Sequence, residues 1–159
     1  MPITADSIAR LKDFKYRVEI NGLEAAMVQE FEPGTRTHGV TVHSGAGQNH
    51  VSKEVGMIGF SNAVMRTVVA LDGTGATYWE DWMDQAQDPA TGDGSAPAQY
   101  QRNFSVFEMG PDSTPVRVWE YYNAFPVSYK VNAKSSLDDT NDVLEFVELA
   151  YDRRDVMLP

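Results

Sequence analysis

The chain of 159 residues has no cysteine, which excludes disulfides, thiolate nucleophiles, iron–sulfur clusters and cysteine zinc sites. Stability must come from packing or from assembly. No apolar run approaches the roughly 18 residues needed to cross a bilayer, and segment 1–13 lacks the apolar centre of a secretion signal. The expectation is a protein made and folded in the cytoplasm, without membrane insertion. Basic residues are few: 13 Lys and Arg stand against 23 Asp and Glu, a formal net charge of -10. That balance disfavours capture of a nucleic-acid backbone, although an acidic wall lets a polyanion slide past without sticking. Familiar catalytic patterns are missing too, with no Walker loop, Gly-x-Ser-x-Gly elbow, His-Glu-x-x-His or dinucleotide fingerprint.

The remaining chemical candidates are weak. His38, His43 and His50 cluster in a Gly-rich region, but their spacing matches no zinc site. Asp88 and Asp93 beside Gly92 and Gly94 suggest a calcium loop whose third and fifth positions, Ala90 and Gly92, carry no side-chain oxygen. Glu145 and Glu148, three apart on a strand, face opposite ways and cannot share a substrate. Asn103-Phe104-Ser105 is a glycosylation sequon without a signal peptide to bring it to the enzyme. No cofactor, metal or catalysis is expected.

Hydrophobic residues make up 42% of the chain, enough for a single domain spanning 1–159. Phe14, Tyr16, Val18 and Ile20 alternate with charges, and Asn21-Gly22 is the preferred pair for a two-residue turn, so a hairpin with Leu23–Glu32 is predicted. A short strand, Gly39–His43, precedes a long Gly-rich loop, 44–59, of the kind that binds or moves. Phe60–Leu71 reads as a strand. Thr77 and Glu80 suggest a capping box, and Tyr78, Trp79, Trp82, Met83 and Ala86 share one face of a helix over 77–87. Residues 88–101, rich in Pro, Gly, Ala and Ser, read as an exposed insertion loop open to disorder. Strands return at 103–109, 116–122, 127–132 and 142–151. The sum is a mainly antiparallel β-sandwich or barrel of about eight strands with one α-helix. The last strand is apolar on both faces, with Val143, Val147, Leu149 and Tyr151 against Leu144, Phe146 and Ala150, which implies a second covered surface, from the helix or another subunit.

The aromatics allow two readings: Trp79, Trp82, Trp119, Tyr121, Tyr122 and Phe125 suit a sugar-stacking platform or a core, and helical spacing with mid-strand placement favours the core. In the stretch Trp119 to Tyr129, Pro126 has no N–H for a ladder, so the chain is expected to turn at Asn123–Pro126 and resume, with Trp119 and Phe125 buried.

Those residues resemble the inner-tube protein family of contractile phage tails and contractile injection systems, the T4-like tail tube family. Asn123, Ala124, Phe125 and Pro126 match its Asn-Ala-aromatic-Pro corner, and Glu145, Glu148, Leu149 and Ala150 match its closing strand. Phe14–Gly22 resembles its opening strand. Asn49–Gly56 with Phe60, Ser61 and Asn62 resembles its Gly-rich loop, and Tyr78–Met83 sits where the family has a Trp-rich helix. The chain departs at the 88–101 insertion and at Arg66–Gly73. The resemblance implies a structural subunit that assembles as stacked hexameric rings around a lumen for cargo or DNA. It also implies contacts with a sheath protein, baseplate or spike, and tube-terminating proteins of a phage tail or phage tail-like particle. Within it, Gly45, Gly47, Asn49, His50, Lys53 and Gly56 would form the ring-stacking loop. Rival readings are a monomeric carbohydrate- or peptide-binding β-sandwich and a small hydrolase with an unrecognised site.

Overall fold

Alternating and β-branched segments dominate the chain, and in the computed structural model they form an antiparallel β structure. The structure describes residues 16–20, 28–47, 49–68, 74–132 and 144–158. In chain order the strands are β1 Tyr16–Glu19, β2 Val28–Glu32, β3 Arg36–His43, β4 Ser52–Phe60 and β5 Ala63–Val68. Helices α1 Thr74–Ala86 and α2 Pro97–Tyr100 follow, then β6 Arg102–Met109, β7 Pro115–Val131, β8 Leu144–Ala150 and β9 Arg153–Met157. The main sheet runs β1-β6-β7-β8-β5-β2, with β9 also on β7, while β3 and β4 form a separate two-stranded sheet.

The long strand β7 joins two half-sheets. Its first half pairs with β6 on one side and, over Val118–Tyr122, with β9 on the other; its second half pairs with β8. The change of partner falls at Asn123, whose φ of 56° is a left-handed conformation that Asn tolerates better than most residues. Asn103 Oδ1 accepts from the Asn123 N–H at 3.0 Å, and Asn123 Nδ2 donates to Asp152 at 2.9 Å, so both partners of the kink are fixed.

The apolar faces meet in one core. Val18, Phe104, Val106, Tyr121 and Ala124 come from one half-sheet and Ala63, Met65, Val147 and Leu149 from the other. Trp79 and Trp82 project from α1 into it, fully buried and stacked at 5.9 Å between ring centroids. The helical spacing of the tryptophans thus has its expected result. Trp82 Nε1 donates to Tyr100 O at 2.6 Å, tying α1 to α2.

Several expectations are corrected. The described parts of the predicted hairpin 14–32 do not pair with each other: Tyr16–Glu19 pairs with β6 and Val28–Glu32 with β5. The Asn21-Gly22 turn itself lies outside the described residues. Region 44–59 is not a loop throughout, because β4 begins at Ser52, and β3 is longer than its predicted core of 39–43. The predicted strand 60–71 is interrupted at Ser61-Asn62, and 116–122 with 127–132 are one continuous β7 rather than two strands about a turn. The helix starts at Thr74, which places Thr77 inside it rather than at its cap. Segment 88–101 is ordered. Asp88 N–H donates to Asp93 O at 2.9 Å, Ser95 N–H to Ala86 O at 3.2 Å, and Tyr100 meets Phe125 edge-on at 5.5 Å. Strand β9, rich in charge, was not anticipated.

Candidate assembly surface

The β3–β4 sheet projects as an arm. Its register sets Arg36 opposite Phe60, His38 opposite Ile58, Val40 opposite Val55 and Val42 opposite Lys53. Directly opposed residues share a face, so Val40, Val42, Val55 and Ile58 form an apolar strip on a face that also carries His38 and Lys53, opposite Ile58 and Val42. The other face is polar, with Thr41 opposite Glu54 and His43 opposite Ser52. Midway the register shifts, where Gly39 lies against Gly56 so closely that a Cβ on Gly56 would stand 3.1 Å from the Gly39 carbonyl carbon. Every residue of β3 is exposed; Val55 is 73% and Met57 88% accessible. A two-stranded ribbon is marginal alone in water, and a contiguous uncovered apolar strip marks a contact surface.

Of the predicted loop residues, Gly45, Gly47, Asn49 and His50 fall in the segment connecting the two strands, and Gly47 has a positive φ of 86°. Lys53 and Gly56 lie within β4, a correction. His38 and His43 fall on opposite faces of the arm. The apolar strip is masked in the sequence by the surrounding glycines; its signal is the alternation Val40, Thr41, Val42 and the spacing of Val51, Lys53 and Val55.

The arm's root is tightly held. Pro33 O accepts from Arg154 Nη1 at 2.7 Å, from Tyr121 OH at 3.0 Å and from Tyr151 OH at 3.4 Å. Gly34 O accepts from the same Arg154 nitrogen at 2.7 Å. Gly34 has φ of 76°, and a Cβ there would meet Ser61 O at 2.6 Å. Thr35 N–H donates to Ser61 Oγ at 2.6 Å, and Ser61 N–H to Thr35 O at 2.8 Å, lacing the two legs together.

The corner and closing strand sit elsewhere on the body. Trp119 and Phe125 are half-buried rather than buried, correcting the expectation: Phe125 falls between the inward-facing Ala124 and Pro126 and so points the other way, while Trp119, on the same face as Tyr121, packs against the core but is only partly covered. Trp119 lies between the guanidinium groups of Arg117 at 5.0 Å and Arg154 at 4.7 Å. Pro126 pairs with Leu149 beside a bulge, which suits a residue with no N–H. Glu145 and Leu149 are fully buried on the inward face of β8. Glu145 accepts from Thr67 Oγ1 at 3.2 Å and from the Tyr129 hydroxyl. Burial, then Glu145, pushes the Tyr129 phenol up. Glu148 faces the other way and accepts from Asn62 Nδ2 at 2.8 Å, so the two carboxylates are separated as the strand period requires. On that second face, Leu144, Phe146 and Ala150 are half-buried, with Arg66 over the Phe146 ring at 4.6 Å. Of the six rings of the sugar-platform reading, Trp79, Trp82 and Tyr121 are fully buried and cannot stack on a sugar, while Trp119, Tyr122 and Phe125 are half-buried.

The family model of the T4-like virus tail tube protein gp19 matches residues 12–154. No curated protein sequence matches the chain. Among solved structures, the PVC sheath–tube complex of an extracellular contractile injection system in its extended state has a chain similar to this one. Their TM-score is 0.74 at 16% identity, over 99% of this chain and 100% of that one. A chain of the anti-feeding prophage cap, described as a tube terminating cap, gives 0.76 at 18% identity over the whole of both chains. Hcp1 from Flavobacterium johnsoniae gives 0.52 at 12% identity, over 91% of this chain and 95% of that one. At such identities the likeness is one of fold, whereas the family model spans nearly the whole sequence, and the chain belongs to the T4-like virus tail tube protein gp19 family.

Proposed function

We propose that this chain is the structural, non-enzymatic subunit of the inner tube of a contractile phage tail or contractile injection system. It closes laterally into six-membered rings that stack into a hollow conduit for cargo or DNA, ejected when the surrounding sheath contracts. Sheath, baseplate and tube-terminating proteins are its partners, in keeping with the tube–sheath and cap assemblies that contain chains of the same fold. The observation that carries this reading is the arm, whose Val40, Val42, Val55 and Ile58 stand at least half exposed among the described residues. Contacts that join unlike surfaces propagate into stacks, and edge strands paired between copies close rings.

The test is electron microscopy with size-exclusion chromatography of the purified protein and of a Val40→Thr, Val55→Thr, Ile58→Thr variant. Threonine keeps the β-branched shape that strands favour while removing the apolar strip. The wild type is expected to form rings or tubes, and the variant to remain folded without stacking. A wild type that stays monomeric at high concentration refutes the tube, and a variant that stacks normally moves the axial contact off the arm.

A further inference from the structure

Arg154 touches both legs of the arm and the body at once. Its Nη1 donates to the Pro33 and Gly34 carbonyls on the outgoing leg, and its guanidinium stands 5.8 Å from the centre of the Phe60 ring at the end of the returning leg. The guanidinium also lies over Trp119 of β7 at 4.7 Å. Around it, Tyr121 and Tyr151 aim their hydroxyls at the same Pro33 oxygen, and Phe60 packs on Tyr151 at 5.6 Å. A planar guanidinium presents its donors in a fixed fork and stacks on aromatic faces, which a lysine ammonium does not reproduce. A two-stranded ribbon joined to a body by two short links depends on contacts at its root to keep one direction. The Thr35 and Ser61 bonds tie the links to each other, Asn62 ties the returning link to Glu148 of β8, and Arg154 with the two tyrosines holds the outgoing link.

We propose that Arg154 is a positioning residue for assembly: with Tyr121 and Tyr151 it clamps the Pro33–Gly34 turn and so sets the angle at which the arm leaves the body. Arg154 is half-buried at the edge of the body, and its partners are the Pro33 and Gly34 carbonyls, the Tyr121 and Tyr151 hydroxyls and the ring faces of Phe60 and Trp119. Gly34 is the other side of the clamp. Its positive φ and the 2.6 Å approach to Ser61 O leave no room for a side chain.

The inference rests on the arm as the stacking element, but its test is made on unassembled subunits. The chain has no cysteine, so Thr41→Cys on the arm and Asp81→Cys on α1 give one spin-label pair whose distance distribution reports the arm's direction. The pair is measured at subunit concentrations below assembly, in the parent and in Arg154→Met, Arg154→Lys and Gly34→Ala backgrounds. A single narrow distribution is expected for the parent and a several-fold broader one for Arg154→Met and Gly34→Ala, with Arg154→Lys between. Circular dichroism and the thermal midpoint of Arg154→Met stay close to the parent while tube yield falls. An unchanged narrow distribution in Arg154→Met overturns the proposal whether or not tubes form. If Arg154→Met does not fold, the Arg154→Lys distribution decides: broadened supports the clamp, parent-like overturns it. A parent that never forms tubes counts against the tube function alone, because the distance readout does not use assembly.

Discussion

At the scale of single residues, burial separates aromatics that look alike in sequence. Trp79 is fully buried in the centre, so Trp79→Ala should cost roughly 3–5 kcal/mol. Trp119, half-buried under two guanidinium groups, should cost only about 1–2 kcal/mol when cut to alanine. Denaturant melts of the two variants check the ordering, and equal losses would contradict it. Glu145→Leu removes the acceptor of two hydroxyls, Thr67 and the half-buried Tyr129, and leaving the buried Thr67 hydroxyl unpaired costs about 1–3 kcal/mol. Alkaline pH acts through the tyrosines. Burial pushes Tyr16 up to about 12 and drives Tyr121 and Tyr129 up as well, from an ordinary value of 10.0. Folding favours their neutral phenols, so this stability is fully present below the unfolded value. It is lost as pH rises through the raised folded values. Midpoints of unfolding should therefore hold steady up to about pH 10 and fall beyond it, with tyrosinate absorbance lagging behind that of unfolded chain.

Whole elements show where local sequence is a good guide. Trp79 and Trp82 were legible because helical spacing and burial state the same constraint. The strict alternation around Tyr16 and Val18 was equally clear about which side faces in, yet silent about which strand lies alongside. An Asn-Gly turn signal describes only its own neighbourhood, so it suggested a local hairpin where β1 and β2 take distant partners, β6 and β5. Glycines hid β4: Gly56 and Gly59 break the pattern of bulk although the backbone stays extended, and a Cβ at Gly56 would press on the Gly39 backbone at 3.1 Å. Strand β9 was hidden by Arg153, Arg154 and Asp155, whose charges sit over ring faces or in solvent rather than in a loop. Segment 88–101 looked unstructured because its order comes from backbone bonds, from short-range side-chain bonds of Asp88, Thr91 and Gln99, and from Tyr100, with no apolar period. Replacing 90–95 with Gly and Ser keeps α2 and the Trp82–Tyr100 bond, so stability should change by less than about 1 kcal/mol. Tyr100→Ala, which loses the Phe125 contact, should cost more. Thermal melts distinguish the pair, and limited proteolysis should cut first near the tip at Thr91–Gly92.

For the molecule as a whole, a formal charge of -10 on each copy opposes bringing copies together. Screening over about 10 Å at 0.1 M salt weakens that repulsion, while the apolar strip of the arm is indifferent to ionic strength at that level. Raising salt from low to moderate should lower the subunit concentration at which sedimentable tubes first form. If salt instead dissolves them, ion pairs hold the stack and the apolar strip does not. The arm has a kinetic consequence as well. A contact between an arm and some other surface of the next copy leaves one rim of any stack bristling with uncovered valines and the opposite rim with vacant receiving surfaces. Growth then has a direction, and free subunits begin new stacks far less readily than they extend old ones. On the proposed stacking, a seed showing one kind of rim would start growth and a protein shaped for the other rim would end it.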